Sequence, residues 1–210
     1  MLNNYFFIDG SALISQVREV QKNLKSFKGR RLDPILLVRY FTTVLRELSE
    51  GQYKRAVFYF PKGGEKLIEE YLEMPNFKSP GKIRDINFKY CGEKLKGSEA
   101  FNKFVSKEVP KKWLDRFTKS EKGIDIEMCC DALRYASAGR LDRLFLMEND
   151  DDFIPLCKIL KEFGTNVSLI YLSEVISPNK TLIQVADSYD VVPEENLNSI
   201  FVPVPGSTQK

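Results

Sequence analysis

Not one of the 210 residues is histidine. That absence excludes His-dependent ribonucleases, HNH nucleases, Ser-His-Asp hydrolases and His-ligated zinc enzymes, all of which need an imidazole as base or ligand. The four cysteines, Cys91, Cys129, Cys130 and Cys157, form no C-x-x-C pair. They do not read as a zinc framework and are expected to be reduced and mostly buried. Apolar runs are short. None reaches the roughly 18 residues of a membrane span, and the opening MLNNYFFIDG lacks the basic flank and long apolar core of a signal peptide. No membrane partner is expected, and the expected location is cytoplasmic. No G-x-x-x-x-G-K-[ST] or G-x-G-x-x-G motif occurs, so phosphate-loop and dinucleotide chemistry have no signature. Whatever chemistry the chain performs must run on carboxylates, with or without a metal ion.

What is present alternates between two periodicities. Short apolar segments such as NNYFFID, RAVFYF, RLFLME and NVSLIYL have strand character. Between them lie stretches with apolar residues at helical spacing, including SALISQVREVQKNL and DDFIPLCKILKEF. Asp33 and Pro34 mark a helix start, and Gly139 and Gly164 mark helix ends. Such alternation predicts an α/β three-layer sandwich with a mostly parallel central sheet and helices on both faces. In sheets of this kind, active sites gather at the carboxyl ends of the strands.

The acids fall where that rule matters. Asp9 ends one expected strand, and FLMENDDDFIPL places Glu148, Asp150, Asp151 and Asp152 directly after another. Asp125 opens an expected helix, with Glu127 and Asp131 beside it. One Asp before a helix is an ordinary N-cap worth about 1 kcal/mol. A second gains about 0.3–1 kcal/mol from the helix dipole. Those two roles leave the remaining acids of ENDDDF unexplained. In an extended turn Asp150 and Asp152 point the same way, while Asp151 points away and caps the following helix. A hard divalent cation, Mg²⁺ or Mn²⁺, would neutralise such crowding, polarise a phosphate oxygen and supply a hydroxide near neutral pH.

The net charge of +3 conceals an asymmetry. Residues 78–122 carry 13 Lys/Arg against 6 Asp/Glu, whereas residues 123–210 carry 7 against 14. A basic stretch beside an acidic one suits a protein that holds a polyanion near a cation site. The same charge run also fits a plain solvated helical face. Trp113 is either a stacking platform for a base or a core residue, and Lys122 either touches phosphate or ends a loop.

Four pieces, in order, resemble the NYN domain, a branch of the PIN-like nuclease superfamily. They are FFIDGSALI (6–14), KGIDIEMCCDAL (122–133), LFLMENDDDFIPLCKILKEFGTNVSLI (144–170) and TLIQVADSYDVV (181–192). The resemblance implies a PIN-like, Rossmannoid fold and a metal-dependent endoribonuclease that hydrolyses RNA with Mg²⁺ or Mn²⁺. It maps the catalytic and metal-binding aspartates to Asp9, Asp125, Asp150 and Asp152, with Ser11 and Asp131 supporting them. The RNA backbone is expected to meet Lys28, Arg30 and Arg31 of the KGRR loop, and Lys111, Lys112, Arg116 and Lys122. Residues 1–195 are expected to form the domain, with a Lys-rich, partly helical insertion at about 92–121, and 196–210 an extended or disordered tail. The insertion and tail are the candidate surfaces for a second copy or a protein partner. The sequence departs from the family pattern at two places: Ala12 replaces a usual Asn, and Glu148-Asn149 replaces a small Ser-Gly.

Three rivals remain. A catalytically inactive RNA-binding or protein-interaction module on the same fold would account for the departures. A haloacid-dehalogenase-type phosphatase also starts with a strand and Asp-Gly, but it wants a second Asp where Ser11 stands. A Toprim-like arrangement wants an earlier Glu at a strand end, and none is evident.

Overall fold

The computed structural model describes residues 2–47, 51–74, 85–91, 93–94 and 121–204. Six strands make the central sheet: β1 (Asn3–Asp9), β3 (Gln52–Pro61), β4 (Ile86–Cys91), β7 (Arg143–Met147), β8 (Asn166–Tyr171) and β9 (Ser188–Val191). Their order is β4-β3-β1-β7-β8-β9, and every neighbouring pair is parallel. The predicted parallel α/β architecture is the one the chain adopts.

β1 occupies the middle of the sheet because its sequence is buried on both sides; Phe6, Phe7 and Ile8 are all essentially inaccessible. Phe6 stacks on Phe145 and meets Phe41, while Phe7 meets Tyr59 and Tyr135. A strand that must cover two opposite faces needs helices on both. The chain supplies them in two passes. From β1 it winds outward through α1 (Gly10–Asn23), α2 (Pro34–Glu47) and α3 (Glu65–Tyr71) to β3 and β4. It then returns past β1 through α4 (Ile124–Ser137) to β7, and continues through α5 (Ile154–Glu162) and α6 (Lys180–Val185) to β8 and β9. The winding direction reverses between β1 and β7. In open α/β sheets the crevice outside such a switch point is where ligands bind.

The capping expectations for Asp33, Gly139 and Gly164 are met. Asp33 accepts the N–H groups of Ile35 and Leu36 at 2.7 and 3.2 Å at the start of α2. Gly139 and Gly164 take positive φ at the ends of α4 and α5. The tight Asp9-Gly10 junction is a packing requirement: a Cβ at Gly10 would stand 2.1 Å from the Phe60 ring and 2.8 Å from the Tyr59 carbonyl.

Two features differ from the sequence-based expectation. The loop KSFKGRR contains a short strand, β2 (Arg30–Leu32), which pairs antiparallel with β10 (Phe201–Pro203) from the expected tail. Leu197, in the short helix α7 (Glu194–Leu197), is buried together with Ile200 and Phe201, and Phe201 packs on Phe27. The anchored fold therefore extends past residue 195, because apolar side chains outside the sheet find cover there. Cys130 is exposed rather than buried, and Cys91 and Cys129 are half-buried.

The Lys-rich insertion leaves from β5 (Glu93–Lys94) and returns at β6 (Glu121–Lys122), which pair antiparallel. Its two ends are thus joined just after β4 and just before α4. Residues 95–120, with Lys111, Lys112, Trp113 and Arg116, lie outside the described residues. No described helix is long and apolar enough to cross a membrane.

Candidate active site

The carboxyl ends of β1 and β7 lie side by side. Ile8 is in register with Met147, so Asp9 and Glu148 occupy the next positions on neighbouring strands. Parallel strands are about 4.8 Å apart, which forces two carboxylates together in the interior; Asp9 is 5% exposed and Glu148 7%.

Each is held by local backbone. Asp9 caps α1, its Oδ1 accepting the N–H groups of Ser11 and Ala12 at 2.6 and 2.8 Å. That is the ordinary N-cap role, and the helix dipole favours the charge there. Glu148 accepts the Asn149 N–H at 2.8 Å. Burial first, and then the negative charge of Asp9, push the Glu148 carboxyl up to about 8, with Asp125 and Asp150 adding to the effect. Near neutral pH without a cation, Glu148 therefore holds its proton.

These groups line one pocket of about 410 Å³. Asp125 enters from the first turn of α4, positioned by Gly123, whose φ of 113° lets the chain swing from β6 into the helix. Asp150 enters from the turn after β7. The wall opposite is α1, through Ser11, Ala12, Ser15, Gln16 and Glu19, and the rim is completed by Ile176 and Ser177.

The structure thus brings Asp9, Asp125 and Asp150 together, with Ser11 beside them. Asp152 is not among the lining residues. The chain turns into a 3₁₀ segment at Asp151–Phe153 directly after Asp150, so the alternation of an extended turn does not carry Asp152 to the position of Asp150. Asp152 contributes its backbone N–H, which donates to Asp150 Oδ1 at 3.1 Å and makes Asp150 the cap of that segment. Asp151 accepts from Asn179 Nδ2 at 2.9 Å instead of capping.

Asp131 lies one layer behind the pocket. It is 3% exposed and accepts from Tyr59 Oη at 2.9 Å, Arg134 Nη1 at 3.1 Å and the Lys89 ammonium. Lys89 also reaches Glu127 at 3.0 Å. This cluster ties α4, and with it Asp125, to β3 and β4.

The KGRR loop has a structural role. Arg30 donates to Asn198 Oδ1 and the Phe201 carbonyl and lies over the Phe27 ring. Arg31 pairs with Glu73. The loop also follows α1, whose 14 residues carry the chain about 21 Å from the pocket end of the helix. Lys28 remains exposed at that distant end. Lys122 lies in β6, immediately before the turn that presents Asp125.

Glu148 and Asn149, which appeared in the sequence as departures, are built into the site. Asn149 Oδ1 accepts the Asn179 N–H at 2.6 Å and its Nδ2 donates to the Ser177 carbonyl at 3.2 Å, while Asn179 Nδ2 returns a bond to the Asn149 carbonyl. This clasp holds the rim loop against the Asp150 turn. The available signal was register: the residue after an apolar strand must sit beside Asp9 if the two strands are neighbours.

Among the described residues, no group of three or more His, Cys, Asp or Glu stands ready to hold a metal ion by itself. The donor chemistry nevertheless fits a hard cation. Mg²⁺ is commonly held by one or two carboxylates, with waters and substrate phosphate completing its shell. Crowded carboxylates, one of them driven to stay protonated, are a set whose repulsion such an ion relieves.

The NYN domain family model matches residues 7–192 of the chain. No curated protein and no solved structure matches it.

Proposed function

The chain belongs to the NYN domain family, whose fold is of the PIN-like nuclease type, and from that premise we propose that it is a metal-dependent endoribonuclease. The observation that carries the reading is the meeting of Asp9, Asp125, Glu148 and Asp150 in one pocket at the switch point of the sheet. NYN domains are generally nucleases, and RNA is the substrate class that follows.

Asp9, Glu148, Asp125 and Asp150 would hold Mg²⁺ or Mn²⁺, which when bound would polarise the scissile phosphate and lower the pKa of a bound water. Asp9 is pre-oriented by its two backbone donors, so it needs no reorganisation to act as a ligand. With such a cation bound, Glu148 would release its proton to solvent and act as a carboxylate. Asp150, exposed at the pocket and held by the Asp152 N–H, would accept a proton from an attacking water. The Lys89–Asp131 cluster keeps Asp125 at the pocket by holding α4 to the sheet. The insertion, joined at its base beside α4, supplies the positive charge that draws in the RNA backbone.

The second reading, an inactive RNA-binding module, is favoured by Ala12, which puts a methyl group on the pocket wall in place of the family's polar side chain. One experiment separates the two. Pure protein is incubated with mixed-sequence single-stranded RNA in Mn²⁺, in Mg²⁺ and in EDTA, beside Asp150→Asn. Cleavage that needs the ion and is lost in Asp150→Asn supports the nuclease. RNA binding with no ion-dependent cleavage would establish the module instead.

A further inference from the structure

One wall of the pocket is a stripe of α1. Ser11, Ser15, Gln16 and Glu19 fall at positions i, i+4, i+5 and i+8 and all line the same cavity. At 1.5 Å per residue the stripe runs about 12 Å along the helix, leading away from the carboxylates of Asp9 and Glu148. Gln16 is an anomaly within it. It sits among Leu13, Ile14, Val17 and Val20 on the buried side of α1 and is only 4% exposed. Its Oε1 accepts the Leu172 N–H at 2.8 Å. A backbone N–H must face the carbonyl end of the amide, so this bond determines which end is nitrogen. The buried Nε2 donor has no partner among the described residues. A buried amide donor left unmet costs free energy that an apolar residue at the same place would avoid. At a pocket wall, that points to an acceptor supplied by a ligand.

The charge of the lining says what kind of ligand. Among the described residues, the charged ones that line it are Asp9, Glu19, Asp125, Glu148 and Asp150, with no Lys or Arg. A phosphate would be repelled along the α1 arm, whereas a neutral heterocycle would not. Gln16 and Glu19 are three residues apart on one helix, so they are surface neighbours. One donates and the other accepts. A keto base presents the complementary pair, a carbonyl oxygen beside a ring N–H. Cytosine and adenine present a ring-nitrogen lone pair where the keto bases carry that N–H, and it would face the Glu19 carboxylate.

We infer that the α1 arm of the pocket is a nucleobase subsite that selects a keto base, uracil or guanine, through the Gln16 amide and the Glu19 carboxylate. The inference takes its substrate class from the ribonuclease reading but is tested by binding alone. Labelled oligouridylate and oligocytidylate of equal length are titrated in Mg²⁺ against protein carrying Asp150→Asn, so that cleavage does not intervene. Uracil and cytosine differ at the edge in question and nowhere else. The expected result is about tenfold or more tighter binding of the uridylate, the usual scale of a two-contact base readout. Adding Glu19→Gln, an exposed position that tolerates change, should bring the ratio to within about twofold, since a glutamine amide can also donate to cytosine. Equal affinities, binding of neither oligomer, or a ratio that survives Glu19→Gln would overturn the inference. Selective binding by a protein that never cleaves RNA in Mn²⁺ would sink the nuclease reading and leave the subsite standing. Cleavage without uracil–cytosine selectivity would do the reverse.

Discussion

Replacing Glu148 by Gln should make the protein more stable in alkaline, cation-free buffer. The Glu148 carboxyl titrates near 4.5 in the unfolded chain and at about 8 in the fold, because it is buried beside Asp9 and faces Asp125 and Asp150. A raised folded value means that the fold prefers the protonated group. The stability associated with the proton is complete below pH 4.5 and is lost as pH climbs through about 8. At 1.36 kcal/mol per pH unit, that loss is on the order of 3 kcal/mol by pH 7 and 5 kcal/mol by pH 9. Gln is neutral at every pH, has the same shape and keeps an oxygen for the Asn149 N–H. Other titrating groups are common to both proteins, so the difference between wild type and Glu148→Gln reports this carboxyl together with its interaction with Asp9. Urea unfolding in EDTA at several pH values gives that difference directly. It should be small near pH 4 and should grow in favour of the variant toward pH 9. Saturating Mn²⁺ should raise the wild type by mass action and narrow the gap. Parallel stability curves in EDTA would mean that Glu148 is not held protonated by its surroundings, and the account of the pocket as a set of mutually repelling carboxylates would fall with it.

Two further outcomes follow from the same geometry. Lys89→Met leaves the buried Asp131 with two of its three partners and should cost about 1–3 kcal/mol in urea unfolding; an unchanged midpoint would deny the cluster its role in holding α4. Replacing Lys111, Lys112 and Arg116 together should weaken RNA binding and flatten its salt dependence, with little change in where RNA is cut; an untouched salt slope would assign the insertion to a protein partner.

The local physics of this chain was legible in one dimension. A strand ending in Asp9, a helix capped by Asp33 and closing glycines at 139 and 164 depend on neighbours a few residues away, and sequence spacing carries that information. The absence of histidine removed imidazole chemistry from the possibilities. The alternation of strands and helices set the parallel sheet, since a parallel connection needs a crossover helix. What spacing does not carry is which strands lie side by side. The β1–β7 pairing made Glu148 the buried companion of Asp9, although in sequence it had looked like a departure from a small-residue pattern. A single 3₁₀ turn separated Asp152 from Asp150, because the backbone and not the spacing of acids decides where a side chain goes. Arg30 and Arg31 had the charge of an RNA contact, but the return of residues 201–203 turned that loop into a strand pair and engaged both guanidinium groups in contacts within the fold. Gln16 is one polar residue on an apolar helix face until β8 brings the Leu172 N–H to it and the pocket forms along its other side. Each of these depends on groups far apart in the chain, and only the closed tertiary structure places them within the few ångströms over which hydrogen bonds and carboxylate repulsion act.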